Sequence, residues 1–307
     1  MKKFLFTSTA VLGLFAMFFA TSCDNLAVND DSKITALDVE LTEDDAMAED
    51  LFNSLDGIVD QELNALDAAG YESSDLKSTD EDGFDCKVIT VDKPDTSSFP
   101  KTITIDYGEG CSVIINGDTI TRSGSIVITI TDRWFVVGSV RTVTYNTFTV
   151  NGVTITGSVT TTNLGPNEDG NIVFEVVVDD GSLTFSDTLI YTRTSHRYRE
   201  WIRTNNPLMD TVFVTGDCQG KNADGMQYQH QIQNKLTMVR CFNYNYQWTI
   251  VEGEITMERN GNMSKLNFGT GGCDGEALLT VDGETREIQV RNRYTKKRQV
   301  RSGRGGN

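Results

Sequence analysis

The stretch "TRSGSIVITIT", residues 121–131, decides the fold class of this chain. Its three isoleucines, Ile126, Ile128 and Ile130, alternate with valine or threonine. Because successive side chains of a β-strand point to opposite faces, this alternation predicts a strand with one buried and one solvated face. The same period of two recurs over residues 86–293, so we expect a mainly β domain there.

Turn signals separate the alternating stretches. Asn-Gly or Asp-Gly pairs tolerate the positive φ that tight hairpins need, and they occur at 116–117, 151–152, 180–181, 260–261 and 282–283. They predict a large antiparallel meander of about a dozen or more strands. The sheet could form a sandwich or an open barrel.

Two stretches of the β domain are similar to each other: "TITIDYGEGC", residues 102–111, and "SKLNFGTGGC", residues 264–273. Each combines a strand, an aromatic residue and a glycine-rich segment that ends in cysteine. Glycine permits a sharp bend, so we interpret both as structural corners and residues 86–293 as a candidate pair of pseudo-repeats. A phosphate-binding loop would lead into a helix, whereas both stretches lead into strand-like residues.

One acidic amphipathic helix is expected before the β domain. Thr42 and Asp45 fit a capping box, and the helical pattern continues to Gly70. We therefore assign residues 42–85 to this helix and a linker. The apolar residues at near-helical spacing are Met47, Leu51, Leu55, Ile58, Leu63 and Leu66.

The charge of this helix region is negative throughout. No lysine or arginine occurs between Lys33 and Lys77, so we expect a solvated acidic face on a helix packed against a sheet. A surface for calcium or for a cationic partner is the alternative. The stretch "DEDGFD", residues 80–85, predicts a loop, because its glycine is not at the sixth position that an EF-hand requires.

The first 22 residues have the layout of a secretory signal peptide: two lysines, an apolar stretch and three small residues. Cys23 follows in the manner of a bacterial lipobox, which predicts acylation of its thiol and a lipid anchor in the outer membrane, on the periplasmic or cell-surface face. The alternative is an ordinary secreted protein cut near Ser22. Residues 23–41 are polar and acidic, so we expect a flexible tether.

The other cysteines are Cys86, Cys111, Cys218, Cys241 and Cys273. An exported chain can retain disulfides. We predict the pairs Cys86–Cys111 and Cys241–Cys273, with Cys218 as a free thiol. The spacing contains no C-x-x-C pairs of the kind that bind zinc, so we predict no metal site.

The charge distribution excludes one class of function. The net charge is −17, and loss of the two leader lysines makes it −19. Residues 291–307 carry seven bases and no acids, which leaves about −26 (−19 − 7) for the rest. Nucleic-acid binding needs a concentrated basic surface, which an acidic body does not provide. We expect residues 294–307 to be a basic disordered tail.

Several runs in the chain resemble a known family. They are "FPKTITIDYGEGC", "TRSGSIVITIT", "GSVRTVTYNTFTVNGVTITGSVTTTN", "TRTSHRYREWI", "NADGMQY" and "LNFGTGGCDGEALLTVDGETREIQVRNR". Together they resemble hypothetical lipoproteins of Bacteroidetes, particularly flavobacteria, over roughly residues 40–293. The resemblance implies a lipoprotein but transfers no active residues, because no activity is established for the family. Cys218 departs from the family pattern, where a small residue is usual, which supports an unpaired thiol.

The sequence contains no recognised catalytic motif. It has two histidines, His196 and His230, and no H-E-x-x-H, G-x-S-x-G or P-loop pattern. We expect both to be solvent-exposed strand histidines, and Ser195 cannot pair with His196 because neighbouring strand residues point to opposite faces. We therefore predict no catalytic residue, no cofactor and no enzymatic activity. Paired carboxylates for glycoside hydrolysis are the alternative.

Aromatic residues could stack on sugars or line a pocket. Core packing or a position at the sheet edges explains them as well, and we favour that interpretation. The residues are Trp134, Trp201 and Trp248, with nearby Phe135, Tyr198 and Tyr246.

Three Asp-Thr-hydrophobic triplets resemble the O-glycosylation sites of exported Bacteroidetes proteins. Their threonines, Thr119, Thr188 and Thr211, are candidate acceptors. An aspartate turn that leads into a strand produces the same letters, and we favour that explanation.

These patterns together predict a membrane-anchored envelope lipoprotein that acts as a non-enzymatic binding or structural module, with an envelope protein or a glycan as its partner. One alternative is a carrier that holds a lipid or another apolar ligand in a β-barrel pocket. A carbohydrate-active hydrolase is the third hypothesis.

Overall fold

The computed structural model describes residues 33–71, 76–77, 86–115, 118–186, 189–242 and 247–290. Several features of the sequence lie outside these residues: the signal peptide, Cys23, the 80–85 loop, the turn at 116–117, Thr188, Tyr246 and the basic tail.

The fold is mainly β, with one long helix ahead of one large antiparallel sheet, as the sequence predicts. A short 3₁₀ helix, Pro207–Met209, lies between the ninth and tenth strands. The elements are α1 (Ala36–Ala68), β1 (Leu76–Lys77), β2 (Val88–Val91), β3 (Lys101–Asp106), β4 (Cys111–Ile115), β5 (Asp118–Ile130), β6 (Val140–Val150), β7 (Val153–Pro166), β8 (Ile172–Ser186), β9 (Leu189–Ile202), β10 (Thr211–Lys221), β11 (Gln227–Cys241), β12 (Gln247–Arg259), β13 (Asn262–Thr270), β14 (Glu276–Val281) and β15 (Glu284–Gln289).

The sheet is a meander in chain order. Among the described residues, fourteen strands form one path from β1 to β15, and β4 lies off this path, paired with β5. Every paired neighbour is antiparallel, and the sheet is not closed. The strands therefore form one open antiparallel sheet.

Three predicted hairpin turns are confirmed. Asn151, Asn260 and Asp282 have φ values of 50°, 48° and 50°, and each is followed by a glycine that also has positive φ. The predicted turn at 180–181 is wrong, because both residues lie inside β8. Asp180 has positive φ there, and the pairing of β8 with β9 shifts register between Val178 and Gly181. Asp180 therefore belongs to a β-bulge within the strand rather than to a hairpin turn.

Helix α1 begins earlier than predicted. Its N-cap is Thr35, whose Oγ1 accepts a hydrogen bond from the Asp38 backbone N–H at 3.1 Å, while the Asp38 carboxylate accepts from the Thr35 N–H at 2.8 Å. Thr42 lies inside the helix and is fully buried. The predicted helix start and the predicted tether 23–41 are both wrong at this boundary. The sequence contains two possible capping boxes, one at Thr35 and one at Thr42, and the helix begins at the first. The turns that this adds to the helix bring Val39 against the apolar core of strands β10–β15.

The apolar side of α1 packs on the inward face of the sheet. Leu55 and Val59 contact the same core cluster as Ile126 and Ile128 of β5, which are fully buried as the alternating pattern predicts. The helix has 33 residues and is about 50 Å long at 1.5 Å per residue. No helix among the described residues has both the length and the apolar composition needed to cross a bilayer.

Because neighbouring strands run antiparallel, alternate connections meet at the same end of the sheet. We call one the hairpin end, because it holds the turns at 151–152, 260–261 and 282–283. We call the other the loop end, and it holds the connections 92–100, 131–139, 167–171, 203–210 and 271–275, with Phe242 after β11.

Helix α1 crosses the sheet from one end to the other. At the hairpin end, the Lys33 backbone N–H donates to the Glu284 carboxylate at 2.7 Å. At the loop end, Asp67 pairs with Arg133 at 3.3 Å, and Tyr71 makes an edge contact with Phe99. The second half of the helix therefore covers the inner face near the loop end.

The cysteines are arranged as predicted. Cys86 and Cys111 are bonded with Cα atoms 5.7 Å apart, and Cys241 and Cys273 with Cα atoms 5.8 Å apart. Cys218 is free and buried. The second bridge ties the end of β11 to the connection 271–275, so it fastens two neighbouring parts of the loop end.

Candidate functional site

A cavity of about 90 Å³ lies between the second half of α1 and the sheet, near the loop end. A single buried water needs about 10–15 Å³ by the same kind of measure, so the space corresponds to about six to nine waters. Its lining includes Trp134, Phe174, Trp201, Trp248, Asp56 and Asp60.

Three tryptophans that are distant in sequence form the apolar wall. The rings of Trp134 and Trp201 are stacked with centroids 5.6 Å apart, and Trp248 meets Trp201 edge-on at 6.2 Å. The indole N–H of Trp201 donates to the Asp210 carboxylate at 3.0 Å, which fixes its orientation. The indoles therefore pack on one another, as core aromatics do, and also line a pocket.

The strands explain why these three residues meet. Trp134 follows β5, Trp201 is next to the end of β9, and Trp248 is near the start of β12. Antiparallel pairing brings all three positions to the loop end. Tyr198, one of the other predicted aromatics, is not part of this wall, because it packs beside His196 with ring centroids 5.1 Å apart.

Two ion pairs between helix and sheet form the polar wall. The Asp56 carboxylate accepts a hydrogen bond from Arg199 of β9 at 2.7 Å. Asp60, one helical turn further on, accepts from Arg141 of β6. Asp56 and Asp60 therefore each have their own arginine, and Asp132 is the third carboxylate of the lining.

These pairs belong to a longer stripe of acids on α1. Positions 45, 49, 56, 60 and 67 are spaced by four and seven residues, which places them on one side of a helix, next to the apolar stripe. The expected solvated face is therefore wrong for these acids. Their partners are Arg259 for Asp45, Arg193 and Arg197 for Glu49, Arg199 for Asp56, Arg141 for Asp60 and Arg133 for Asp67.

Glu49, the second acid of this stripe, lies between two arginines of β9. Arg193 donates to one carboxylate oxygen at 2.7 Å, and Arg197 donates to both oxygens. Burial raises the pKa of Glu49, but the positive charges of Arg193 and Arg197 outweigh it and hold the pKa well below its usual range. Glu49 is therefore ionised at neutral pH, inside the protein.

A second buried cluster surrounds Cys218. His230 of β11 is the direct cross-strand partner of Cys218 in the neighbouring strand β10. The Nε2 atom of His230 lies 3.2 Å from the Asp45 carboxylate. His230 is 7% exposed, so its predicted solvent exposure is wrong. His196 is about half exposed and contacts Glu175 at 2.7 Å, as expected of a surface histidine.

The charges in this cluster are strongly coupled. Burial raises the pKa of the Cys218 thiol, but the positive charges of Arg193 and His230 lower it to about 7. Burial lowers the pKa of His230, but the charges of Cys218 and Asp45 raise it to about 9. The cluster therefore favours a thiolate next to an imidazolium.

Cys218, His230 and Asp45 have the residue types of a nucleophile, a base and an orienting acid. However, Cys218 is 1% exposed, and none of the three lines the cavity at the loop end. A substrate in that cavity would not reach the sulfur, so we interpret the cluster as a structural charge network. The sequence predicts Cys218 as a free thiol, but no local signal in it indicates that His230 and Asp45 lie beside the sulfur.

The remaining predicted sites have simple structural settings. Thr119 is exposed in β5, and Thr211 is the first residue of β10. The Asp210 before it is buried and accepts hydrogen bonds from Trp201 and Thr204, which gives that Asp-Thr pair a structural explanation. Among the described side chains, no three histidine, cysteine, aspartate or glutamate residues form a group that could hold a metal ion.

No family model, curated protein or solved structure matches this chain. The function is therefore argued from the geometry of the site, and the resemblance to Bacteroidetes lipoproteins stays an expectation from the sequence.

Proposed function

We propose that this protein is a non-enzymatic binding module of the bacterial envelope, tethered to the outer membrane, and that its ligand site is the tryptophan-lined cavity at the loop end. The observation that carries the proposal is the convergence of Trp134, Trp201 and Trp248 around one cavity. Concave, mostly apolar sites with a few polar groups are typical of ligand binding.

The tether rests on the sequence of the first part of the chain. Cys23 follows three small residues in the manner of a lipobox, and two or more acyl chains give stable anchoring. Nine residues, 24–32, lie between Cys23 and Lys33, where the described structure begins. The bound module would stand on the periplasmic or the cell-surface face of that membrane.

Binding fits the polar wall better than hydrolysis does. A glycosidase uses one carboxyl group as an acid and a second as a base or nucleophile. Here Asp56 accepts a hydrogen bond from Arg199, and Asp60 accepts from Arg141. Both carboxylates act as counter-ions that join the helix to the sheet, so we do not propose an enzyme.

The size of the cavity limits the ligand. Pockets for drug-sized molecules measure about 300–1,000 Å³, whereas this cavity measures about 90 Å³. A small group is therefore a better match for the cavity than a long acyl chain. The sheet is also open rather than closed around a ligand, so the lipid-carrier hypothesis has less support.

Native mass spectrometry of the chain from Asp24 onward, produced in a bacterial periplasm, tests the proposal. We expect a mass excess over the denatured chain. Asn64→Phe should abolish the excess, because Asn64 is an exposed residue of α1 that lines the cavity. Gln61→Phe is the matched control, because Gln61 is exposed on the same helix but is not part of the lining. An excess that survives Asn64→Phe, or no excess in the wild type, would contradict the proposal.

A further inference from the structure

A second, smaller cavity lies between α1 and strands β7–β9. Its volume is about 10 Å³, which is the space that one buried water needs. Three arginines from the inner face of β9, Arg193, Arg197 and Arg199, line it together with Ser195 of the same strand and Asn53 of α1. The cavity therefore combines room for one small particle with a lining rich in hydrogen-bond donors.

The three arginines have donors that the protein does not use. In the described part of the chain, the buried Nε atoms of Arg193, Arg197 and Arg199 have no hydrogen-bond partner. Arg193 and Arg197 are each only 4% exposed, so bulk water does not solvate their side chains. Leaving a buried donor without a partner is costly. Three such donors on side chains that line one cavity therefore indicate an occupant that accepts hydrogen bonds.

The charges beside the cavity do not balance. Among the described residues, Glu49 is the one carboxylate that pairs with Arg193 and Arg197. Arg199 has its own carboxylate, Asp56. Three positive charges therefore face two negative charges inside the protein. Because a buried charge without a counter-charge is unfavourable, this excess favours an anion over a neutral water as the occupant.

The thiolate of Cys218 does not remove this excess. Its sulfur lies 3.8 Å from Nη2 of Arg197, but its cross-strand partner is His230. The pKa of His230 is raised to about 9 by the charges of Cys218 and Asp45, so the imidazolium cancels the charge of the thiolate. Neither Cys218 nor His230 lines the small cavity. One positive charge of the arginine pair is therefore left for another anion.

We propose that the small cavity is a buried halide site, which binds chloride between α1 and β9 through Arg193, Arg197 and Ser195. Guanidinium and hydroxyl groups donate strong hydrogen bonds to anions, and space for about one water excludes phosphate, sulfate and carboxylates. The bound anion supplies the counter-charge that Glu49 alone does not provide. The inference goes beyond the proposed function, because it concerns a different cavity and holds whether or not the tryptophan-lined cavity binds a ligand.

Anomalous X-ray diffraction tests the site directly, with bromide as the heavier analogue of chloride. The chain from Asp24 onward is crystallised in sodium bromide, and data are collected at the bromine absorption edge. We expect an anomalous peak inside the small cavity, beside Arg193 and Arg197. Electron density there without an anomalous signal would identify a buried water and overturn the halide site.

A matched pair of β9 variants tests the site in solution. Ser195→Val fills the small cavity with apolar atoms, whereas Thr194→Val changes an exposed residue on the opposite face of the same strand. Urea unfolding is compared in sodium chloride and in sodium gluconate at equal ionic strength, because gluconate is too large for the cavity.

We expect chloride to raise the urea midpoint of the wild type and of Thr194→Val relative to gluconate. The gain should grow with the logarithm of the chloride concentration once the site is mostly occupied, since chloride binds the folded chain and not the unfolded one. Ser195→Val should have the same midpoint in both salts. A chloride gain that persists in Ser195→Val, or equal wild-type midpoints in the two salts, would contradict the proposal. If Ser195→Val does not fold, the bromide peak in the wild type decides.

Discussion

Replacing Glu49 with glutamine removes the negative charge from a buried cluster that joins α1 to β9. The glutamine has nearly the same shape, so packing changes little. Arg193 and Arg197, whose side chains are 4% and 5% exposed, then lose their carboxylate partner. The variant therefore measures the cost of two buried positive charges without their counter-ion.

The expected loss of unfolding free energy is about 4 kcal/mol, because removing one partner of a buried ion pair typically costs about 3–5 kcal/mol. A domain is stable by only about 5–15 kcal/mol, so the loss is a large fraction of the total. Urea unfolding, followed by far-UV circular dichroism and tryptophan fluorescence, measures it, provided that the two transitions coincide.

Two controls separate charge burial from general damage. Lys265→Gln breaks the exposed pair with Glu254, where the lysine is 58% exposed and the distance is 3.4 Å, and should cost less than about 1 kcal/mol. Glu49→Leu combined with Arg193→Leu and Arg197→Met should recover most of the loss, because an apolar replacement of a whole buried cluster is often neutral. A Glu49→Gln loss no larger than that of Lys265→Gln would refute the argument.

Lowering the pH tests the contribution of the ionised Glu49 carboxylate to the stability of the wild type. The pKa of Glu49 is lower in the folded chain than its usual value of 4.5. Its stabilisation is therefore complete above that value and is lost as pH falls below it. We expect the unfolding free energy to fall between pH 5 and pH 3 more steeply in the wild type than in Glu49→Gln. Equal slopes would contradict the charge assignment.

Three further predictions concern other parts of the fold. The absorbance of native protein at 240 nm should rise with a midpoint near pH 7 as the Cys218 thiolate forms, and Cys218→Ser should abolish the rise; a midpoint above pH 8 would contradict the lowered pKa. Replacing Cys241 and Cys273 with serine should cost about 3 kcal/mol in urea unfolding, by loss of loop closure; an unchanged midpoint would show that the bridge does not stabilise the loop end. Gly216→Ala should cost about 3 kcal/mol, because Gly216 has a φ of 116° and an added Cβ would lie 2.2 Å from a carbonyl oxygen of β9. Gly110→Ala, where the added Cβ meets nothing within 4 Å, should change little, and equal costs would refute the steric argument.

Local patterns were enough for the β character of the chain and for three of the hairpin turns. The alternation around Ile128 is a property of one strand, so it could be read without knowing the partner strands. The Asp180–Gly181 pair shows the limit of this reasoning. The same letters suit a hairpin turn and a bulge, and only the continued pairing of β8 with β9 selects the bulge.

The helix shows a second limit. Two capping boxes, at Thr35 and at Thr42, satisfy the same local rule. Packing of the extra turns against the far strands decides between them, and that contact is not visible in the helix sequence. The burial of His230 could not be predicted for a similar reason. The alternation of a strand shows that its side chains point to two faces of the sheet, but it does not show that one face is covered by an acidic helix.

By itself, the sequence determined a mainly β chain with an acidic helix ahead of it, because side-chain periodicity and turn chemistry act within a few residues. Only the tertiary structure decided that a stripe of acids on α1 pairs with arginines and that three distant tryptophans line one cavity. Those contacts join residues up to 214 positions apart. A charged side chain or an indole has the same sequence neighbours whether it faces water or a partner residue. The two cases can therefore be distinguished only once the sheet has brought the partner residues together.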